Sequence, residues 1–139
     1  MIEINTLTYD ICYTARKIYQ FLTKEFRPYD ITPEQFVILT ALFEEEGVSQ
    51  MELALKLDKD KNNIKAIVDI LEKKEYILKK ENILDKRAYS LYITNKAKKL
   101  FPILKEKEEK IKRTLTSSLS LEEVKVSTFA LKKIRENID

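Results

Sequence analysis

Two groups of basic and amide side chains in the middle of the chain could carry chemistry. One contains Lys61, Asn62, Asn63 and Lys65, and the other surrounds Arg87. Such groups donate hydrogen bonds to phosphates and base edges. The chain has no His, which excludes His-based acid–base catalysis and His-ligated metal sites. The carboxylates and lysines have no recognised catalytic spacing, so we expect a binding protein and not an enzyme, with no cofactor and no metal.

The composition indicates a helical protein of a reducing compartment. A single Gly among 139 residues disfavours glycine-rich phosphate loops and hairpin-rich β folds. Cys12 is the sole cysteine and cannot form an internal disulfide. No apolar run approaches the roughly 20 residues that span a bilayer, and the N-terminus lacks a secretion-signal pattern. We therefore expect a cytoplasmic protein that does not enter the membrane.

The net charge of +3 is unevenly distributed along the chain. Residues 1–48 carry a net charge of −4, residues 49–94 carry +2 and residues 95–113 carry +5. A basic middle attracts polyanions such as nucleic acid. A solvated lysine-rich surface would give the same counts, so the charge alone does not identify a partner.

Helix signals divide the first half of the chain. Apolar residues at steps of three and four from Ile4 to Phe26 predict one long helix. A capping box at residues 32–35 predicts a second helix, with Phe43 on its buried side and Gly47 as its left-handed end. Two short helices follow, separated by the polar residues 58–61. This spacing predicts a helix-turn-helix.

After these helices, apolar and polar residues alternate with a period of two, which predicts strands at residues 76–78 and 89–93 joined by a charged tip. Thr94 and a capping box at residues 120–123 predict two C-terminal helices. The fold expected is mainly α with a small two-stranded β wing, as one domain over residues 1–139. A winged helix-turn-helix lobe at 32–94 is flanked by N- and C-terminal dimerisation helices at 1–28 and 95–139. The apolar stripes of the flanking helices favour a second subunit, although packing on the same chain would also bury them.

The chain resembles the MarR family of bacterial winged helix-turn-helix transcriptional regulators. Residues 85–94, Asp-Lys-Arg-Ala-Tyr-Ser-Leu-Tyr-Ile-Thr, match the family's wing signature. Residues 68–74 match the end of its recognition helix, and residues 31–36 resemble the opening of its second helix. Two departures stand out. Glu75 replaces the Gly that usually follows the recognition helix, and Ala66 and Ile70 stand where an Arg is common.

The resemblance implies a homodimeric regulator that binds double-stranded DNA at inverted repeats. It would repress nearby genes, and an unidentified small-molecule effector could release it. The recognition helix would enter the major groove, and its N-terminus would offer free backbone N–H groups to phosphate. In the wing, Arg87 would enter the minor groove, held by Asp85. The DNA-contacting residues expected are Lys61, Asn62, Asn63, Lys65, Lys79, Lys80, Asp85, Lys86 and Arg87, with Lys59 as a further phosphate contact.

Two alternative functions remain open. Ala66, Ile70 and the low net charge favour a winged-helix protein-interaction module that has lost DNA binding. Some members of the family sense oxidants through a cysteine in the first helix, where this chain has Cys12. The hydroxyl partners of that cysteine correspond to Phe26 and Pro33 here, so core packing is favoured over a redox role for Cys12. The tyrosines of the first helices, Tyr9, Tyr13, Tyr19 and Tyr29, would line a ligand cavity or, more often, belong to the core.

Overall fold

A computed structural model describes residues 6–84 and 88–139. The described residues form helices α1 to α6 and strands β1 to β3. These are α1 Leu7–Phe26, α2 Pro33–Glu44, β1 Val48–Ser49, α3 Gln50–Lys56, α4 Lys61–Lys73, β2 Ile77–Glu81, β3 Tyr89–Ile93, α5 Asn95–Thr116 and α6 Leu121–Glu136, with a 3-10 turn at Arg27–Tyr29. The chain divides into two compact units, Met1–Lys105 and Glu106–Asp139. No helix among the described residues combines the length and apolar content needed to cross a membrane.

The predicted helix caps are confirmed. At the start of α2, the Thr32 hydroxyl accepts from the Gln35 N–H, and the Gln35 side chain accepts from the Thr32 N–H, both at 3.1 Å. Ser120 and Glu123 form the same reciprocal pair at the start of α6. These bonds satisfy N–H groups that the first turn of a helix leaves without partners.

The turn between α3 and α4 is built from acidic residues. Asp58 adopts a left-handed conformation with φ of 50°, and the Lys59 N–H donates to the Ala54 carbonyl at 2.9 Å. This is the 6→1 bond of a Schellman motif, which ends α3. Asp60 then caps α4. The polar stretch predicted to separate the two helices thus terminates one and starts the other.

Helix α4 ends in the same motif. The Tyr76 N–H donates to the Leu71 carbonyl and the Glu75 N–H donates to the Glu72 carbonyl, both at 2.9 Å. Glu75 has φ of 65°, in the left-handed region that favours glycine. The position where the family usually has Gly therefore keeps the glycine conformation although the residue is Glu.

The sheet has three strands in the order β1-β3-β2. It therefore has one strand more than the predicted two-stranded wing, which is the ribbon of β2 and β3. Val48 of β1 pairs with Leu91 of β3. Gly47 precedes β1 with φ of 86°, and its N–H donates to the Leu91 carbonyl at 2.8 Å. The prediction that Gly47 ends α2 is wrong, because α2 ends at Glu44 and Gly47 turns the chain into the sheet.

The core of the first unit lies beneath α4. Ile64, Val68 and Leu71 have no exposed surface, and α4 contacts α2, α3 and β2. Beside them, Phe36 of α2 stacks on Phe26 with ring centroids 4.9 Å apart. Phe43 stacks on the α5 ring of Phe101 at 4.2 Å, but it remains 46% exposed. The prediction that Phe43 is buried is therefore wrong.

Helix α1 meets the rest of its unit along one side only. Its sole buried residue is Phe26, and Ile11, Ile18 and Leu22 are half-buried. Cys12 lies on the open side and is exposed, so its interpretation as a core residue is wrong. Within the second unit, α6 has no buried residue, and Leu121 and Phe129 are exposed. Both helices thus present apolar side chains to solvent.

We predict that Glu75→Gly stabilises the fold by about 0.5–1 kcal/mol. A non-glycine residue in this conformation costs roughly 1–2 kcal/mol, and the greater freedom of glycine in the unfolded chain offsets about 0.5–1 kcal/mol of the gain. Urea unfolding measures the difference. Glu75→Ala keeps the backbone penalty and serves as the control. Equal stability of the Gly and Ala variants would contradict the strain assigned to Glu75.

Candidate nucleic-acid interface

The structure brings the first predicted cluster together on the exposed face of α4. Because Ile64, Val68 and Leu71 point into the core, the helical period turns the remaining side chains outward. The exposed residues include Lys61, Asn62, Asn63, Lys65 and Ala66. The result is a polar, positively charged surface along the N-terminal half of α4.

The N-terminal N–H groups of α4 are already bonded. The Asp60 carboxylate accepts from the Asn62 N–H at 2.8 Å and from the Asn63 N–H at 3.2 Å. The expectation of free N–H groups for phosphate is therefore wrong at these two positions. Within the described part of the chain, no hydrogen bond engages the side-chain amides of Asn62 and Asn63. Those amides are available to an external partner.

Asp69, a residue that the sequence motifs do not single out, joins α4 to the wing. Its carboxylate accepts from Lys65 at 3.0 Å and from Lys79 of β2 at 2.6 Å. Glu72 lies 3.5 Å from the same Lys79 ammonium. In the sequence, Lys65 and Asp69 are four residues apart on a predicted helix, and this spacing indicates that their side chains are neighbours.

Strand alternation explains why Lys79 and Lys80 differ. Lys79 shares a face of β2 with the buried Ile77, so its side chain points toward α4 and is 18% exposed. Lys80 points to the opposite face, where its ammonium lies 4.6 Å from the centre of the Tyr92 ring. Of the two, Lys80 is therefore the more accessible cation.

The charges of the Asp69 cluster shift its titration. Hydrogen bonds from Lys79 and then Lys65 hold the pKa of Asp69 below its ordinary value. Burial has the largest single effect on Lys79 and disfavours its charged form, but the hydrogen bonds and negative charges of Asp69 and Glu72 together outweigh burial and raise the pKa of Lys79. Both groups are thus held in their charged forms near neutral pH.

The wing and α4 border a common groove. A concavity of ≈ 530 Å³ is lined by the start of α3, by Lys61 and by Asn82 and Tyr89 of the ribbon. Asp85, Lys86 and Arg87 lie outside the described residues. Asn82 and Tyr89 place the tip-side end of the ribbon beside the N-terminal end of α4.

The tyrosines of α1 form local pairs. Tyr9 and Tyr13 stack with centroids 5.8 Å apart, and the Tyr19 hydroxyl donates to the Glu34 carboxylate of α2. That bond, more than burial, raises the pKa of Tyr19. All three tyrosines are exposed, so their assignment to the core is wrong. Among the described residues there is no cluster of three or more His, Cys, Asp or Glu side chains suited to a metal ion.

Comparison with known proteins identifies relatives of the whole chain. The sequence model of the MarR family matches residues 31–89. The HTH-type transcriptional regulator YybA of Bacillus subtilis is 26% identical over 136 residues, which cover 98% of this chain and 91% of YybA.

Two solved structures share the fold. The MarR protein from Peptoclostridium difficile is 25% identical, with a TM-score of 0.88 and coverage of 99% of this chain and 93% of that protein. The S. aureus MepR–DNA complex is 24% identical, with a TM-score of 0.89 and coverage of 96% of this chain and 99% of MepR.

We predict that Asp69→Asn destabilises the fold by about 0.5 kcal/mol at neutral pH, as expected for a partly exposed ion pair. Folding lowers the pKa of Asp69. The contribution of Asp69 to the free energy of unfolding is therefore fully present above its pKa in the unfolded chain, and it disappears as pH falls through its pKa in the folded protein. Denaturant unfolding across the acid range measures this. Glu72→Gln, which removes only the longer contact, should have a smaller effect. A loss that persists unchanged in strong acid would contradict the ion-pair assignment.

Proposed function

Because the chain belongs to the MarR family, we propose that it is a homodimeric regulator that binds double-stranded DNA at inverted repeats. Its relatives include HTH-type transcriptional regulators, which supports a role in DNA binding rather than in catalysis. The observation that carries the proposal is the exposed row of Lys61, Asn62, Asn63 and Lys65 opposite the buried face of α4. The MepR protein of the same fold was solved bound to DNA. We place the chain in the cytoplasm as a repressor of nearby genes, released by a small-molecule effector.

The exposed face of α4 suits the edges of base pairs in the major groove. An Asn amide can make two hydrogen bonds to adenine, and a Lys ammonium can donate to guanine. The methyl group of Ala66 can contact the methyl group of thymine. Asn62, Asn63 and Lys65 are therefore assigned to base recognition, and Lys65 would exchange its contact with Asp69 for a contact with DNA.

The remaining cations are assigned to the phosphate backbone and to the minor groove. Lys61 and Lys80 are exposed and suit phosphates. Lys79 is less suited, because two carboxylates already surround its ammonium. In the wing, Arg87 is assigned to the minor groove with Asp85 holding it and Lys86 on a phosphate, as the family resemblance implies.

Two observations favour other functions. Ile70 is 44% exposed on α4, which would suit a protein-interaction module. It lies near the C-terminal end of α4, however, whereas the polar row occupies the N-terminal half that enters the major groove. The exposure of Cys12 would suit an oxidant sensor, but Phe26 and Pro33 supply no hydroxyl group to a thiolate. Both functions therefore rank behind DNA binding.

The dimer is assigned to the flanking segments 1–28 and 95–139. Helix α1 exposes Leu7, and α6 exposes Leu121 and Phe129. Uncovered apolar side chains of this number are typical of a subunit interface rather than of a monomer surface. A dimer would also present two copies of α4 to two half-sites.

We predict that the protein binds DNA from upstream of its own gene and that affinity falls as salt rises. Lys61→Ala should weaken binding to all sequences and reduce the salt slope by about one. Lys79→Ala should change the slope less, since its charge is already paired. Asn63→Ala should instead alter base preference within a half-site. Anisotropy titrations on matched and scrambled sites distinguish these effects.

The matched comparison is Lys61 against Lys79, because both variants lose one positive charge. If the two variants reduced the salt slope equally, the contacts of Lys79 with Asp69 and Glu72 would not persist in the complex with DNA. The absence of binding to any duplex at low salt would overturn the proposed function.

We predict a dimer at micromolar concentration, with an interface of more than about 2,000 Å² as in obligate assemblies. Multi-angle light scattering measures the mass. Because hydrophobic burial drives assembly, Leu121→Glu combined with Phe129→Glu should shift the protein toward monomer. A monomeric wild-type protein would contradict the assignment of these helices.

A further inference from the structure

The tip of the β2–β3 ribbon carries two large aliphatic side chains that the described chain leaves uncovered. Ile83 and Leu84 are each 95% exposed, more than any other large hydrophobic residue described. Turns are usually formed by Gly, Pro, Asn, Asp and Ser, so an adjacent Ile and Leu at a tip require an explanation. The contacts assigned above give these two residues no role.

Local hydrogen bonds define the tip. The Asn82 N–H donates to the Ala88 carbonyl at 3.2 Å, which continues the ribbon beyond the pair of Glu81 and Tyr89. The Asn82 side chain accepts from the Leu84 N–H at 2.9 Å. These bonds hold the backbone of residues 82–84 while the two aliphatic side chains project away from the protein.

The tip is positioned beside the proposed DNA-reading surface. The groove that contains Lys61 is lined on its other side by Asn82 and Tyr89. If the N-terminal end of α4 enters the major groove, the element beside it crosses the flanking phosphate backbone toward the adjacent minor groove. The apolar tip therefore faces the duplex and not bulk solvent in the complex.

Two lysines flank the tip, and the Glu52 carboxylate lines the same groove as one of them. Lys80 lies on the outer face of the ribbon and Lys61 lies across the groove. Proteins that bind the minor groove insert Leu or Ile side chains between base steps while nearby cations neutralise phosphates. We propose that Ile83 and Leu84 form an aliphatic wedge that enters the minor groove and partly unstacks a base step beside each half-site. This inference rests on the proposed function.

An anionic membrane surface would offer similar chemistry, but the observations favour DNA. Even a single myristoyl chain gives only marginal membrane binding, and two side chains bury less apolar area. The tip also lies beside the exposed amides of α4, which suit base edges. The wedge adds a sequence preference that the polar residues do not supply, because pyrimidine–purine steps unstack most easily.

The test compares Ile83→Ser and Leu84→Ser with Leu55→Ser. Leu55 is a matched control, since it is 77% exposed on α3 and does not line the groove beside the ribbon. All three substitutions should leave the urea midpoint unchanged because the side chains are exposed. The operator is first located by footprinting the wild-type protein, and 2-aminopurine is then placed at each flanking step.

Each tip variant should bind the operator about tenfold more weakly, as expected for losing an aliphatic side chain from a partly desolvated contact. The salt slope should stay unchanged, because no charge is lost. The rise in 2-aminopurine fluorescence seen with wild-type protein should disappear with the tip variants. The Leu55 variant should retain both the affinity and the fluorescence rise.

Wild-type affinity and a full fluorescence rise in both tip variants would overturn the wedge while leaving DNA binding intact. The wedge is also overturned if the tip variants lose binding only to phosphatidylglycerol vesicles, which would assign the tip to a membrane. A wild-type protein that binds no duplex at low salt would instead overturn the proposed function, so the two failures are distinguishable.

Discussion

The burial of Ile64, Val68 and Leu71 fixes the rotation of α4 about its axis. A helix has 3.6 residues per turn, so a shift of one residue would bring a different side to the core. Each of these side chains is fully buried, and burying one such side chain stabilises the fold by about 1.5–3 kcal/mol. The outward direction of the polar row is therefore a consequence of core packing. The interface depends on a hydrophobic contact on the opposite side of the helix.

Acidic residues organise this basic surface. Asp58 terminates α3, Asp60 caps α4 and Asp69 holds Lys65 and Lys79. These carboxylates lower the net charge of the lobe, and a low net charge taken alone favours a protein that does not bind DNA. Their contacts show that they shape helix ends and orient lysines, so the low net charge is compatible with a cationic face.

Local signals predicted most of the helices, because capping residues act within one turn of the backbone. The strand β1 was missed, since the two residues Val48 and Ser49 are too few to show an alternating period. The inward direction of Lys79 follows from its alternation with the buried Ile77 on β2. Cys12 was misassigned because an apolar stripe along α1 does not reveal how little of that helix the same chain covers. The directions of such side chains depend on tertiary contacts that periodicity alone does not specify.

In the proposed complex, α4 reads the major groove while the wing lies on the adjacent minor groove. This arrangement is tested most directly by attaching an iron chelate at single cysteines, using Asn63→Cys and Ile83→Cys in a Cys12→Ser background, and mapping the cleaved nucleotides on operator DNA. We expect major-groove cleavage from position 63 within each half-site, minor-groove cleavage from position 83 at the flanks, and two-fold symmetry of both patterns. Uniform cleavage, or the same pattern from both positions, would contradict it.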